Sequence, residues 1–262
     1  MNNKTLQEFT TTILKYYSEH KRSFPWRETT DPYKILVSEL MLQQTQTERV
    51  VPKYLAFIEK YPDFLSLSKA VIPELLEMWS GLGYNRRALY LHKTAQKVVA
   101  DFSGTLPTDE KQLISLPGIG VYTAGAIMAF AYDNKTIFIE TNIRRVILHF
   151  FFPDAEKVPD SEIRRLVEHT LPKKDFRNWY YALMDYGVYL SKSGVNANTR
   201  SKHYIKQSKF EGSRRQLRGM VLKIYVSEKN VDETHMIFAE KNPDLVKEVI
   251  DELKAEGFID SD

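Results

Sequence analysis

Apolar residues recur along this chain mostly at three- and four-residue steps, the spacing that places them on one face of an α-helix. Leu6, Phe9, Ile13, Leu14 and Tyr17 form one such stripe, Ile35, Leu36 and Leu40 a second, and Val50, Tyr54, Leu55 and Ile58 a third. Prolines at 25, 32, 52, 62, 73, 107, 117, 153, 159 and 172 punctuate these runs at intervals suited to short helices joined by short loops. Strand-like alternation is scarce, and its best stretch, Thr136 to Ile139, is too short to build a sheet. The pattern predicts an all-α protein. Near the C-terminus, Leu217, Val221, Leu222 and Tyr225 share one helical face and Leu245, Val249 and Leu253, with Val246 and Ile250, another, closing on Gly257-Phe258-Ile259. This reads as a small winged-helix-like module over 214–262, set off by a polar, basic linker over 193–213 from a main domain over 1–192.

Composition narrows the chemistry. With 262 residues and 43% hydrophobic content the chain is long enough to bury an ordinary core. It has no cysteine, which excludes disulfides, thiolate nucleophiles and every Cys-ligated zinc or iron–sulfur site. Its six histidines show no metal-ligand spacing, so no metal and no cofactor is expected. No apolar run approaches the roughly 18 to 20 residues needed to span a bilayer, and no leader pattern opens the chain. The expectation is a monomer in the cytoplasm, nucleoid-associated if prokaryotic, with no membrane partner. Formal charge is only +3, but from Lys192 to Lys223 nine Lys or Arg face a single acid, Glu211, interleaved with His203, Tyr204 and Phe210. Such a stretch suits phosphate neutralisation, and a solvated basic loop has the same composition.

One segment suggests how a nucleic-acid backbone is held. Leu113-Ile-Ser-Leu-Pro-Gly-Ile-Gly-Val-Tyr-Thr-Ala-Gly-Ala-Ile places a helix before Leu116 and another after Gly120, with a tight turn between them. Gly118 and Gly120 can take positive φ and leave amide groups uncovered, while the second helix turns its positive dipole end toward an anion. This is the pattern of a helix-hairpin-helix element, which grips phosphate without reading sequence.

Further motifs occur in order: Phe24-Pro-Trp-Arg27, Asp31-Pro-Tyr-Lys-Ile, Ser38-Glu-Leu-Met-Leu-Gln-Gln-Thr-Gln46 and Trp79-Ser-Gly-Leu-Gly-Tyr84. Together with the hairpin they resemble the MutY branch of the endonuclease III family, whose members include adenine- and thymine-mismatch glycosylases. The resemblance covers about residues 5 to 190. It implies a two-lobed helix-hairpin-helix glycosylase fold with a DNA cleft between interleaved lobes, and a duplex carrying a damaged or mismatched base as partner.

The resemblance also assigns roles. Glu39 is implied to be the acid that assists departure of the base. It lies among Leu36, Leu40, Met41 and Leu42, where burial would raise its pKa and keep a proton available. The family's second acid is an aspartate in a D-x-N-x-x-R-V pattern, and here Glu140 takes its place before Thr141-Asn142-Ile143-Arg144-Arg145-Val146. A carboxylate there can stabilise an oxocarbenium-like sugar or orient water, but the extra methylene moves it by roughly a bond length, and about 1 Å of misplacement can cost on the order of 100-fold in rate. A plain N-cap, or a partner for Arg144, is the structural alternative for Glu140. Tyr122 stands where bifunctional members carry a Schiff-base lysine, which predicts a monofunctional enzyme that leaves an abasic site. Trp26 and Arg27 match the base-pocket side and Gln43 the acid's helix. Gln44 and Tyr84 match positions that enter or abut the duplex. Gly118, Gly120, Tyr122, Thr123, Asn142 and Arg144 are expected on the DNA backbone, and Trp79 in packing.

The motif wording favours adenine opposite G or 8-oxoguanine. The short chain, ending before any separate domain for oxidised guanine, favours a compact thymine or uracil enzyme acting on G mismatches. A third reading is a lesion-binding protein whose catalysis weakened with the change to Glu140.

Overall fold

The computed structural model describes residues 3–205, 209, 213–228 and 243–259. In chain order its helices are α1 (Asn3–His20), α2 (Pro32–Leu42), α3 (Thr47–Lys60), α4 (Phe64–Ser68), α5 (Ile72–Trp79), α6 (Arg86–Asp101) and α7 (Glu110–Ile114). They continue with α8 (Val121–Phe130), α9 (Thr141–Phe151), α10 (Asp160–Thr170), α11 (Phe176–Lys192), α12 (Arg214–Glu228) and α13 (Pro243–Ala255). Single turns of 3-10 helix cover Pro25–Arg27 and Ala197–Arg200. No strand occurs among the described residues, and Thr136–Ile139 runs as irregular backbone whose Thr136 carbonyl accepts from the Tyr180 hydroxyl at 2.7 Å. The all-α expectation holds. No described helix is long and apolar enough to cross a membrane.

The chain forms two compact units, Met1–Glu39 with Leu106–Lys206, and Leu40–Thr105 with Gln207–Asp262. It passes from the first to the second inside α2. The unit boundaries therefore fall at 39, 105 and 206, not at 192 and 213, and the C-terminal helices group with α3–α6 instead of standing apart. The segment between α12 and α13, where a wing would lie, falls outside the described residues.

In the first unit α9 and α1 both pack on α11. Phe9 meets Phe150 edge-on at 5.0 Å and Trp179 at 6.0 Å, and Phe138 stacks on Tyr180 at 4.1 Å. Large aromatic faces of this kind carry much of the burial energy, about 1.5–3 kcal/mol for each fully covered side chain. Within the α1 stripe Phe9 and Ile13 are buried while Leu14 stays 46% exposed, because the four-residue step from Phe9 to Ile13 sets the inward face and the next residue turns off it. Gly187 allows α11 to approach the start of α9: a Cβ there would lie 2.5 Å from the Asn142 carbonyl oxygen.

In the second unit Val50, Tyr54 and Phe57 of α3 point inward, which leaves Leu55 exposed. Trp79 is fully buried, in packing as expected, with its indole N–H donating to the Gly83 carbonyl. Of the two C-terminal faces read from the sequence, Val221, Leu222 and Tyr225 and Val246, Val249, Ile250 and Leu253 are buried while Leu217 and Leu245 are only partly covered, and α12 packs on both α13 and α5. Arg214 and Arg218 pair with Glu248 and Glu252 of α13 and with Glu256 just past its end, and Arg86 also reaches Glu256.

Candidate active site

The hairpin is built from alternation of buried and open positions. Leu113, Leu116 and Ile119 are inside, while Gly118 and Gly120 between and after them are exposed. Gly118 takes φ +75°, the left-handed region that glycine enters without steric cost. Gly120 differs from expectation. Its φ of −90° is ordinary extended backbone, and it serves as the N-cap of α8. The helix it starts is buried on nearly every side from Thr123 to Ile127. Thr123, expected on the DNA backbone, is only 2% exposed and turns into the unit, whereas Val121, two residues earlier on the open side, is 54% exposed.

Tyr122 also turns inward. Its hydroxyl donates to Glu39 Oε2 at 2.7 Å, an interaction that joins residues 83 positions apart. Glu39 sits on α2 among Ile35, Leu36 and Leu40 and is 3% exposed. Burial pushes its carboxyl up to about 7, helped by the nearby negative charge of Glu140 and opposed by the Tyr122 hydrogen bond and the Arg27 charge. Tyr122 itself is raised well above the ordinary tyrosine value, first by burial and then by the Glu39 charge, so it remains a protonated donor at any physiological pH.

Glu140 is the N-cap of α9. Its Oε1 accepts from the Asn142 and Ile143 amides, each at 2.7 Å, and Oε2 from Asn142 Nδ2 at 3.2 Å. Glutamate is not among the favoured N-cap residues, yet its longer side chain reaches both amides here. Burial raises the Glu140 pKa, while those amide donors and the Arg145 charge oppose the rise. Asn142, expected on DNA, completes this cap and accepts from Arg145 at 2.7 Å. Arg144 does not pair with Glu140. It reaches Asp160 at 2.7 Å.

A third carboxylate was not singled out from the sequence. Asp185 of α11, 2% exposed, accepts from the Arg22 backbone amide and Nε and from both terminal nitrogens of Arg27. Arg27, expected at the base pocket, is thereby fixed with its guanidinium over the Tyr181 ring at 4.4 Å, and its charge is felt at Glu39. Trp26 beside it is buried and stacks on Phe24 at 5.1 Å. The first unit thus assembles Glu39, Tyr122, Glu140, Arg27 and Asp185 in one network.

Gln43, Gln44 and Tyr84 belong to the second unit. Gln43 lies just beyond the end of α2, and Gln44 and Tyr84 are exposed in turns with φ of +55° and +48°. Neither turn was legible in the residue pattern.

Residues 37–173 match the HhH-GPD superfamily of base excision DNA repair proteins. An adenine DNA glycosylase of Buchnera aphidicola subsp. Baizongia pistaciae is 35% identical over 193 residues, which are 72% of this chain and 55% of the relative. A thymine/uracil-DNA glycosylase of Methanothermobacter thermautotrophicus is 33% identical over 189 residues, 71% of this chain and 86% of the relative. The solved structure of a thermostable thymine-DNA glycosylase superposes with a TM-score of 0.65 at 28% identity, covering 77% of this chain and 97% of that one. The chain spans little more than half the length of the Buchnera adenine glycosylases it matches.

Proposed function

The chain belongs to the HhH-GPD superfamily of base excision DNA repair proteins, and we propose that it is a monofunctional DNA glycosylase that hydrolyses the N-glycosidic bond of a mismatched adenine in duplex DNA. One observation carries the reading: Glu39 is a carboxyl buried among apolar side chains, held by the Tyr122 hydroxyl, with its pKa pushed to about 7. Such a group keeps a proton at neutral pH and can give it up when a stronger base appears, which is the requirement for a general acid. In the proposed reaction the glycosidic bond breaks as the Glu39 proton passes to a ring nitrogen of the departing base. The positive charge that develops on the sugar faces the Glu140 carboxylate. Water then bonds to the anomeric carbon and its proton leaves to a carboxylate, so that an abasic site and a free base result. Tyr122 offers no amine, so this chain does not form a Schiff base at that position. The reaction uses side chains alone. With no cysteine, the chain cannot hold a Cys-ligated iron–sulfur cluster, and the proposed chemistry needs none.

Adenine is favoured by the motif sequence around Glu39 and by the adenine glycosylases among the relatives. The match to nearly the whole length of a thermostable thymine-DNA glycosylase supports the second reading, thymine or uracil opposite G. Single-turnover cleavage, read after alkali treatment, on duplexes carrying A:G, A:8-oxoguanine, T:G and U:G pairs separates the two. The expected result is cleavage of adenine-containing duplexes, abolished by Glu39→Gln. Binding without cleavage of any of them, by wild-type protein, would overturn the enzymatic reading in favour of a lesion-binding protein.

A further inference from the structure

Arg87, on the first turn of α6, is 6% exposed, yet no acidic side chain lies within bonding distance of it among the described residues. Its charge is met by backbone. Nη1 donates to the carbonyls of Leu40, Met41 and Gln43, at 3.0 Å and 2.7 Å for the last two, and Nη2 to those of Leu82 and Gly83 at 3.1 Å and 2.7 Å. Nε reaches the Tyr84 carbonyl at 3.3 Å, and Nη2 also reaches Thr45 Oγ1, which in turn donates to Leu82. The guanidinium lies over the rings of Trp79 and Tyr84, at 5.5 Å and 5.8 Å. Burial brings its pKa down to about 10, so it stays charged at neutral pH.

The carbonyls come from two separate turns, the one that ends α2 and the one that precedes α6. Each turn carries a non-glycine residue in the left-handed region, Gln44 and Tyr84, and each of these is exposed. Left-handed backbone at such side chains persists only where the surroundings over-determine it. The other non-glycine residues with positive φ, Ser103, Asp133, Lys157 and Asp175, lie elsewhere in the chain, and none is bonded to Arg87. A planar fork with five N–H groups is suited to join two chain segments through their carbonyls, and a lysine ammonium is not.

We propose that Arg87 is a positioning residue that locks the Gln44 and Tyr84 turns into one preformed wedge, so that both side chains enter the duplex together when the base leaves the stack. The inference rests on the reading that Gln44 and Tyr84 are the residues that enter DNA. It does not depend on which base is cut. Arg87 touches no substrate and acts through the two turns it joins.

The test follows base extrusion separately from base release. A duplex with 2-aminopurine at the target position reports unstacking by fluorescence, and the mismatch duplex reports cleavage under single turnover. Arg87→Lys keeps the charge and loses the fork. It is expected to bind undamaged duplex within about twofold of wild type, because phosphate contacts are unchanged, while the fluorescence change and the cleavage rate fall together by about 10- to 100-fold, the size of effect of a misplaced group. Thr45→Val, a milder variant that removes one cross-link, is expected to lose about 3- to 10-fold in both, in line with a single hydrogen bond. Leu91→Ala controls for stability: it opens the buried packing one helical turn after Arg87 on α6 and removes no donor to either turn. At a temperature well below the melting point of every variant, wild-type fluorescence in Arg87→Lys and Thr45→Val overturns the proposal, as does an equal loss in Leu91→Ala. Wild-type protein that unstacks 2-aminopurine but releases no base leaves the wedge standing and sinks the glycosylase reading. Wild-type protein that binds duplex with no fluorescence change sinks the wedge.

Discussion

Replacing Glu39 with glutamine removes a buried ionisable group from the first unit, and the effect on stability depends on pH in a way that can be worked out. Holding a carboxyl at about 7 when its ordinary value is 4.5 means that the native state retains a proton the unfolded chain has already released. The stabilisation of the protonated form is fully present below pH 4.5, is lost as pH rises through about 7, and is flat above that. Between pH 5 and pH 8.5 wild type should lose about 2 to 3 kcal/mol from this group alone. Glutamine does not titrate. Its carbonyl can still accept from Tyr122, and an unsatisfied amide costs the same amount at every pH. The difference in melting temperature between Glu39→Gln and wild type should therefore move in favour of the variant by about 4 to 10 °C from pH 5 to pH 8.5. Differential scanning calorimetry across that range at constant ionic strength measures it. A difference that stays constant within about 1 °C would refute the claim that Glu39 holds its proton in the folded protein, and with it the general-acid role. Under single turnover the same protonation should make wild-type cleavage fall as pH rises above about 7.

Two variants should move that midpoint in opposite directions. Tyr122→Phe removes the hydrogen bond that lowers the Glu39 pKa and should shift the midpoint to higher pH, while Glu140→Gln removes a neighbouring negative charge and should shift it to lower pH; pH–rate profiles of both show the directions. Gly187→Ala would drive a methyl group to 2.5 Å from the Asn142 carbonyl, so it should destabilise by about 1–3 kcal/mol and disturb the Glu140 cap, measured by denaturant unfolding with cleavage in parallel. Asp185→Asn leaves Arg27, whose side chain is 6% exposed, without its bidentate carboxylate, and a loss of about 3–5 kcal/mol by the same unfolding assay is expected.

Some of this was legible in the sequence because it depends on local pattern. Helical stripes gave the all-α class, and the turn between Leu116 and Val121 showed its glycines. Glu39 stood out as an acid inside an apolar run. What was missed depends on which face of a helix a charged residue occupies. Arg86 and Arg87 are adjacent and chemically alike, yet Arg87 lies in register with Leu91, Ala95 and Val98, which are all buried, and Arg86 does not. That three- and four-residue register is the signal in the sequence, and it is a weak one because arginine is not an expected core residue. Asp185 has the same explanation: it follows Tyr181 by one helical turn on the buried side of α11, but its partners, Arg22 and Arg27, are more than 150 residues away in the chain, and sequence spacing carries no trace of such a pairing. The position of Tyr122 and Thr123 directly after the hairpin glycines suggests a place on DNA. The structure turns them inward because α8 is enclosed beyond its first residue, so the glycine turn and Val121 are what the second half of the hairpin leaves accessible.

The two glutamates show how one network can give identical groups different tasks. Glu39 accepts a single side-chain hydrogen bond from a hydroxyl and otherwise meets apolar neighbours, an environment that favours its neutral form. Glu140 accepts two backbone amides at the positive end of α9 and a side-chain amide, and has Arg145 nearby, all of which favour the anion against the effect of burial. Their charges repel, so ionisation of one raises the cost of ionising the other, and the environment decides which yields. The group that keeps the proton is the one with fewer donors. In the proposed reaction this division gives proton donation to Glu39 and charge stabilisation to Glu140, and a glutamate can serve at the second position because the amides of Asn142 and Ile143 set where its carboxylate sits.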